Sequence, residues 1–258
     1  MSATAAVEAK RGFDPRLVGL GTVVALGVAL EVAIRAGLLS RFVVPLPSEV
    51  LASVPRVIAE EDGLFRFFFT AGETLAAGAL AALVGLALGF LLYRVRLVRL
   101  ACESWVGAMA AAPLVLIYPL FLVVFGRNAL TIVMIGFLAG LAPMILKTVE
   151  GFSGARKVLL DVGRSFNLTP LQQFWKILFP AAVPTLFVGL RLGMIFCLIN
   201  VVGVEYLINF GGLGQLVNDL AERNDIAATY AVIGLVILVS AAFFGASERI
   251  ERWLRPAN

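Results

Sequence analysis

The alternation of apolar and polar positions divides the chain into long apolar runs joined by short polar segments. A bilayer core about 30 Å thick needs about 20 mostly apolar helical residues to cross it. Six runs reach that length, at about residues 17–37, 74–93, 104–126, 128–146, 177–204 and 226–247. Four of them carry no charge, the first carries Glu31 and Arg35 near its end, and the fifth carries Arg191 inside. An even number of spans puts both termini on one face of the membrane.

Three segments are too polar to span. In 38–73, Pro45-Leu46-Pro47-Ser48 is followed by Val50, Leu51, Val54, Val57 and Ile58. That one-sided spacing predicts a helix on the outer interface, read as a lipid-facing anchor. The outer segment 206–225 holds Gly211-Gly212-Leu213-Gly214 and the acids Asp219, Glu222 and Asp225, and topology makes it a candidate contact for an extracytoplasmic partner. In 147–176, Val158, Leu159, Val162 and Phe166 share one helical face, and Asn167 suits the left-handed turn that ends a helix. Thr169-Pro170-Leu171-Gln172 then has the form of a capping box with proline at the first helical position. It predicts a second short helix running to Phe179, where Pro180 interrupts it. The apolar stripe of this helix–turn–helix docks in a partner's groove or rests on the membrane surface.

Composition strengthens the membrane reading. Of 258 residues, 60% are hydrophobic and 15% charged, against about 25% charged in soluble domains, and the mean hydropathy is +0.97. The expected class is an all-α integral membrane protein. Lys and Arg set its orientation. With the N-terminus inside, fourteen lie on the cytoplasmic face, including Lys10, Arg11, Arg94, Arg96, Arg99, Lys147, Arg156, Lys157, Arg249 and Arg255. Six lie outside: Arg35, Arg41, Arg56, Arg66, Arg127 and Arg223. Both termini are therefore expected in the cytoplasm, and the basic charge needs no nucleic-acid partner. The first run outlasts a signal-peptide core and ends in Glu31 and Arg35, so it is expected to be retained.

Absent residues narrow the chemistry. There is no His, and no Gly-Lys dipeptide from which to build a phosphate-binding Walker loop. Cys102 and Cys197 lie far apart among apolar residues and read as inert thiols. No catalytic residue and no metal site are expected, which disfavours a membrane-embedded enzyme.

Polar residues near or within the spans stand out. Glu31 and Arg35, four apart, are expected to pair. Arg191 must face a partner, water or the bundle interior. It either attracts an anionic substrate in a pathway, with Asn200 nearby, or makes a structural pair. Glu205 gates the outer mouth or marks the membrane boundary. Gly85/Gly89, Gly136/Gly140 and Gly189/Gly193 repeat at the four-residue spacing that lets helices approach closely. Pro180 and Pro184 bend the fifth span or mark its start.

Asp161-Val162-Gly163, Asn167 and Ile177-Leu178-Phe179-Pro180 resemble the EAA loop of ATP-binding-cassette importer permeases: Glu-Ala-Ala, three residues, Gly, nine residues, then Ile-x-Leu-Pro. The spacing is kept. Asp161 replaces Glu, Val162 and Gly163 take the alanine places, Asn167 replaces Gly and Phe179 replaces Leu. Asn tolerates the left-handed turn, whereas Gly163 inside a helix costs about 1 kcal/mol relative to Ala. Ala181-Ala182-Val183-Pro184, Gly189-Leu190-Arg191, Glu205, Gly212-Leu213-Gly214, Pro45-Leu46-Pro47-Ser48, and Pro113 with Tyr118-Pro119-Leu120 and Phe125-Gly126 extend the resemblance to the nitrate/sulfonate/taurine group, over about residues 43–255.

The resemblance implies a type I importer permease: a cytoplasmic tail (1–16), a six-span domain (17–247) with a cytoplasmic coupling helix in the loop 147–176 and outer loops 38–73 and 206–225, and a second tail (248–258). It implies a bacterial inner-membrane homodimer with two ATPase subunits, which bind the ATP and Mg, and an extracytoplasmic solute-binding protein. Val158, Asp161, Val162, Gly163, Phe166, Asn167, Leu171 and Pro180 would couple to the ATPase. Arg191, Asn200 and Glu205 would line the pathway of a small anionic solute. A thiamine-precursor-like or other organic solute is the alternative, and a secondary transporter or channel the rival class. That rival would have no use for the cytoplasmic helix pair.

Overall fold

The computed structural model describes residues 15–41 and 43–254, and every regular element among them is helical. Parts of both expected tails therefore fall outside the description: residues 1–14, with Lys10 and Arg11, and residues 255–258, with Arg255. In chain order the helices are α1 (Pro15–Arg35), α2 (Pro47–Ala59), α3 (Gly63–Arg94), α4 (Arg96–Ala111), α5 (Tyr118–Phe125), α6 (Ala129–Ser153), α7 (Lys157–Ser165), α8 (Pro170–Gln173), α9 (Phe179–Ile208), α10 (Leu213–Glu222) and α11 (Ile226–Leu254). A 3-10 turn, Leu114–Ile117, precedes α5, and a π-helical turn, Phe174–Leu178, joins α8 to α9.

Five helices are long and apolar enough to cross a membrane, and six spans result if α4 with the turn and α5 counts as one. The third predicted span, 104–126, is not a straight helix. The chain bends there by 90°. Pro113 lacks an N–H, and it forces Ala112 out of the helical region, to ψ 137°. α3 is longer than its apolar run: 32 residues span about 48 Å, more than a bilayer core about 30 Å thick.

Pro180 does not interrupt the second short helix of the loop, which runs on into α9. The Phe179 N–H bonds to the Phe174 carbonyl, five residues back. A turn this wide accommodates the proline ring without the clash that an α-turn would impose. Pro180 then sits in the first turn of α9, and Pro184 lies inside it.

α6 is the central helix and packs on both α3 and α9. The glycine pairs sit at these crossings. A Cβ on Gly140 would stand 2.8 Å from the Gly193 carbonyl oxygen and 2.5 Å from Cys197 Sγ. One on Gly89 would stand 2.9 Å from the Ile145 carbonyl oxygen, and one on Gly189 would stand 2.7 Å from Lys147 Cβ. Ala77, Ala81, Ile132, Ile135, Cys197, Val201 and Val204 fill the core they create.

α2 departs from its expected role as a lipid anchor. Val57 is fully buried, with Val50 and Val54, against Leu213, Leu216 and Leu220 of α10 and Val232 of α11. α11 packs against both α2 and α10, and the shared cluster shields the apolar face of α2, leaving only Leu51 and Ile58 of the stripe exposed. Arg56 pairs with Asp225, Arg66 with Asp219 at 3.5 Å and Arg223 with Glu61 at 3.0 Å. The Glu31–Arg35 pair forms at 2.6 Å, and Glu31 also accepts from Ser48 Oγ at 2.8 Å, tying α1 to α2.

The α6 crossings make a testable demand on side-chain size. Gly140→Leu is expected to lower the stability of the detergent-solubilised protein by about 1–3 kcal/mol or more. Gly27→Leu on α1, where nothing lies within 4 Å, is expected to leave it unchanged. Paired thermal melts of the two variants check this.

Candidate functional site

At one end of the bundle the segment between α6 and α9 folds back as a helix–turn–helix. α7 closes with two bonds: the Leu168 N–H donates to the Gly163 carbonyl at 3.0 Å and the Asn167 N–H to the Arg164 carbonyl at 2.9 Å. Asn167 takes the left-handed conformation, φ 50°, that this closure requires. The capping box is complete. The Gln172 N–H donates to Thr169 Oγ1 at 3.3 Å, and the Thr169 N–H donates to Gln172 Oε1 at 3.0 Å.

Gly163 is the buried residue of α7. Ile177 Cδ1 would stand 2.7 Å from a Cβ there, and Gln173 Nε2 donates to the Leu160 carbonyl at 3.0 Å. The helical cost of this glycine is thus offset by close approach to the π-turn. Phe90 and Tyr93 of α3, Phe152 of α6, and Phe174 and Phe179 beyond the turn form one chain of ring contacts 5.2–6.1 Å apart. That cluster locks the hairpin to three long helices.

The opposite face of the hairpin stays open. Phe166 is 76% and Val158 70% exposed, with Leu159, Val162, Leu171 and Trp175 also exposed around them. Asp161 pairs with Arg164 at 3.1 Å on the surface. A cleft of about 650 Å³ lies beside this patch, lined by Phe90, Tyr93, Arg94, Arg164, Leu171 and Trp175. The apolar, cation-edged surface can seat another protein, and it has a rigid mount.

Arg191, Asn200 and Glu205 do not converge. Nine residues of helix separate Arg191 from Asn200, two and a half turns, so they face opposite ways. The Arg191 guanidinium lies 4.9 Å from the centre of the Phe244 ring of α11. It also borders an apolar cavity of about 310 Å³ with Leu75, Gly78, Phe187, Met194 and Phe243. Asn200 sits on the exposed side with Phe196, Ile199 and Leu207, and its side chain donates to the Phe196 carbonyl at 2.9 Å.

Glu205 is fully buried at the end of the bundle opposite the hairpin. Thr70 Oγ1 donates to its two oxygens at 2.8 and 3.0 Å, and the Gly214 N–H donates at 2.8 Å. Thr70 Oγ1 also accepts from the Leu213 N–H at 2.8 Å. The glycines of Gly212-Leu213-Gly214 permit this: a Cβ on Gly214 would stand 2.7 Å from Glu205 Cβ. Sequence reasoning missed Thr70 and Glu73, which complete the cluster from α3. Glu73 sits immediately before the apolar run that starts at Thr74, and its acidic side chain there was the available signal. Among the described residues no three His, Cys, Asp or Glu side chains are grouped to hold a metal ion.

Comparison with known proteins agrees with this architecture. A solved inward-facing MetNI methionine ABC transporter superposes with a TM-score of 0.65 at 19% identity, covering 78% of this chain and 98% of that one. A nitrate import permease of Synechocystis is 27% identical over 194 residues, 74% of this chain and 70% of that protein. A Bacillus subtilis permease named for aliphatic sulfonate transport is 22% identical over 221 residues, 84% and 80%. The family described as the binding-protein-dependent transport system inner membrane component matches residues 76–256. The chain therefore belongs to that family and is a multi-pass inner-membrane permease subunit of an ATP-binding-cassette importer.

Proposed function

We propose that two copies of this chain form the pathway for a small anionic solute of the nitrate or sulfonate kind, driven by two ATPase subunits docked on the α7–α8 hairpins. As a permease the chain transports rather than catalyses; its partner ATPases bind the ATP and Mg, and an extracytoplasmic protein delivers the solute. The observation that carries this reading is the exposed stripe Val158, Val162, Phe166 and Leu171 on a hairpin anchored by aromatic contacts to α3, α6 and α9. A helix seated in a partner's groove transmits motion only if its mount is stiff. Asp161, Gly163, Asn167 and Pro180 serve the mount and its edge; Val158, Val162, Phe166 and Leu171 serve the contact.

The solute class is supported by the nitrate and sulfonate relatives. For the pathway we favour the open face of α9 with Asn200, Phe196 and Ile199. Gly203 packs there against Val115 beside α5, whose Leu120, Val123 and Val124 are also exposed. A second copy covering these apolar faces would enclose Asn200. Arg191, turned toward α11, and Glu205, buried under α10, then serve the frame of the pathway rather than its lining.

Two outcomes test the reading. A tagged chain extracted gently from native membranes is expected to bring down a Walker-motif ATPase in stoichiometric amount, and Phe166→Asp to reduce it about tenfold or more without changing the thermal melt. Absence of any ATPase under conditions that preserve a known importer overturns the assignment of α7. The proposed orientation places α7 in the cytoplasm and α10 outside. In a cysteine-free background, Ala221→Cys is expected to react with a membrane-impermeant maleimide in intact cells, and Ser165→Cys only after lysis.

A further inference from the structure

The cluster around Glu205 holds more acid than its surroundings can neutralise. Glu73 is only 6% exposed, and neither of its carboxyl oxygens meets a donor. It lies one helical turn after Thr70, whose hydroxyl bonds to Glu205, so the two buried carboxyls belong to one cluster. Ionised carboxylates only accept, so neither can bond to the other unless a hydrogen lies between them.

Among the described residues, the cations of the flanking elements are engaged with other partners. Arg66, one turn before Thr70 on α3, directs its guanidinium to the Gly211 carbonyl at 3.3 Å and to Asp219 of α10 at 3.5 Å. Arg127, ahead of α6, donates to the Asn209 carbonyl. α6 itself brings Ile132 and Ile135 to the core beside Ala77 and Val204. On α11, Asp225 at the N-terminal end is held by Arg56 of α2. The donors that reach Glu205 are the Thr70 hydroxyl and backbone N–H groups, enough for one carboxylate and not for two. Two ionised carboxylates buried side by side repel each other and lose their hydration.

We propose that Glu73 and Glu205 form a binding site for one exchangeable proton, which clamps α3 and α9 to the Gly212-Leu213-Gly214 turn at the start of α10. With the proton bound, one carboxyl donates to the other carboxylate, and Thr70 and Gly214 hold the remaining charge. Loss of the proton to water leaves two carboxylates and no donor between them. Glu73 is then driven away from Glu205, and α3 loses a tie to the α10 end. A metal ion is a poorer occupant, because two carboxylates and one hydroxyl already donating to Glu205 fall short of the six to eight oxygens that hard cations take. The site does not depend on which solute the chain carries.

The test uses the full-length chain in lipid nanodiscs. Difference infrared spectra of wild type against Glu73→Gln are expected to lose one carbonyl band of a neutral buried carboxyl, a group no other contact of Glu73 explains. The thermal midpoint of wild type is expected to fall with rising pH where the unfolded chain has released the proton that the folded pair still holds, and to level off once the folded state loses it too. Glu73→Gln, whose amide donates to Glu205 at any pH, is expected to flatten that fall while melting cooperatively. Retention of the full band in Glu73→Gln, an unchanged pH profile, or a wild-type midpoint that follows sodium concentration at constant pH would overturn the proposal. If Glu73→Gln fails to fold, the wild-type infrared titration decides alone: a neutral carboxyl band that disappears with rising pH supports the site, and its absence sinks it.

Discussion

Polar groups inside a hydrocarbon layer have no water to turn to, and the rest of this structure depends on that constraint. Every backbone N–H and C=O at that depth must be satisfied within its own helix, and helices then associate by packing rather than by the hydrophobic effect. α6 meets α3 and α9 at glycine contacts where backbone nearly touches side chain or backbone, as at Gly140 and Gly193. This three-helix contact is the platform on which the peripheral elements are mounted. The bent α4–α5 pair packs on α6, α2 and α10 cover one end of the bundle, and the α7–α8 hairpin is fastened at the other.

The two ends are built with different chemistry. At the hairpin end, aromatic rings from α3, α6 and α9 surround Phe174 and give the loop a stiff base while its outer stripe remains bare. At the α10 end, ion pairs join an apolar cluster of α2, α10 and α11: Arg56, Arg66 and Arg223 each hold an acid from a different segment. Beneath them Glu205 gathers Thr70 and the Gly212–Gly214 turn. An apolar mount transmits displacement, because a close-packed cluster has few alternative arrangements. A polar fastening can open at lower cost, because water can replace each partner. The division suits the proposed arrangement, in which ATPases dock at the hairpin end and solute enters at the other.

Much of the hairpin was legible from the chain alone. Asn167 has φ 50° and Thr169 and Gln172 exchange both bonds, as their side-chain chemistry dictates within six residues of sequence. The Glu31–Arg35 pair likewise needed only a helical spacing. Features that depended on distant segments were not legible. α2 reads as a membrane anchor until α11 and α10 cover its apolar face, Arg191 and Asn200 share a helix but not a face, and Glu73 joins a buried cluster with a residue 132 positions away. Pro180 was read as a stop because local rules count its missing N–H, whereas the π-turn that carries the helix past it is stabilised by Ile177 against Gly163 and by the ring cluster.

The sequence by itself determined that the chain crosses a membrane, roughly where it does so, and which loop carries a capped amphipathic hairpin. These follow from hydrophobic length, charge bias and short-range hydrogen bonding, all of which act within a few turns of helix. Tertiary structure decided which glycines meet, which apolar stripe is buried and which is left for a partner, and which acid faces which. Those outcomes depend on helices far apart in the chain coming into contact, and burial and pairing energies are properties of the contact, not of either segment.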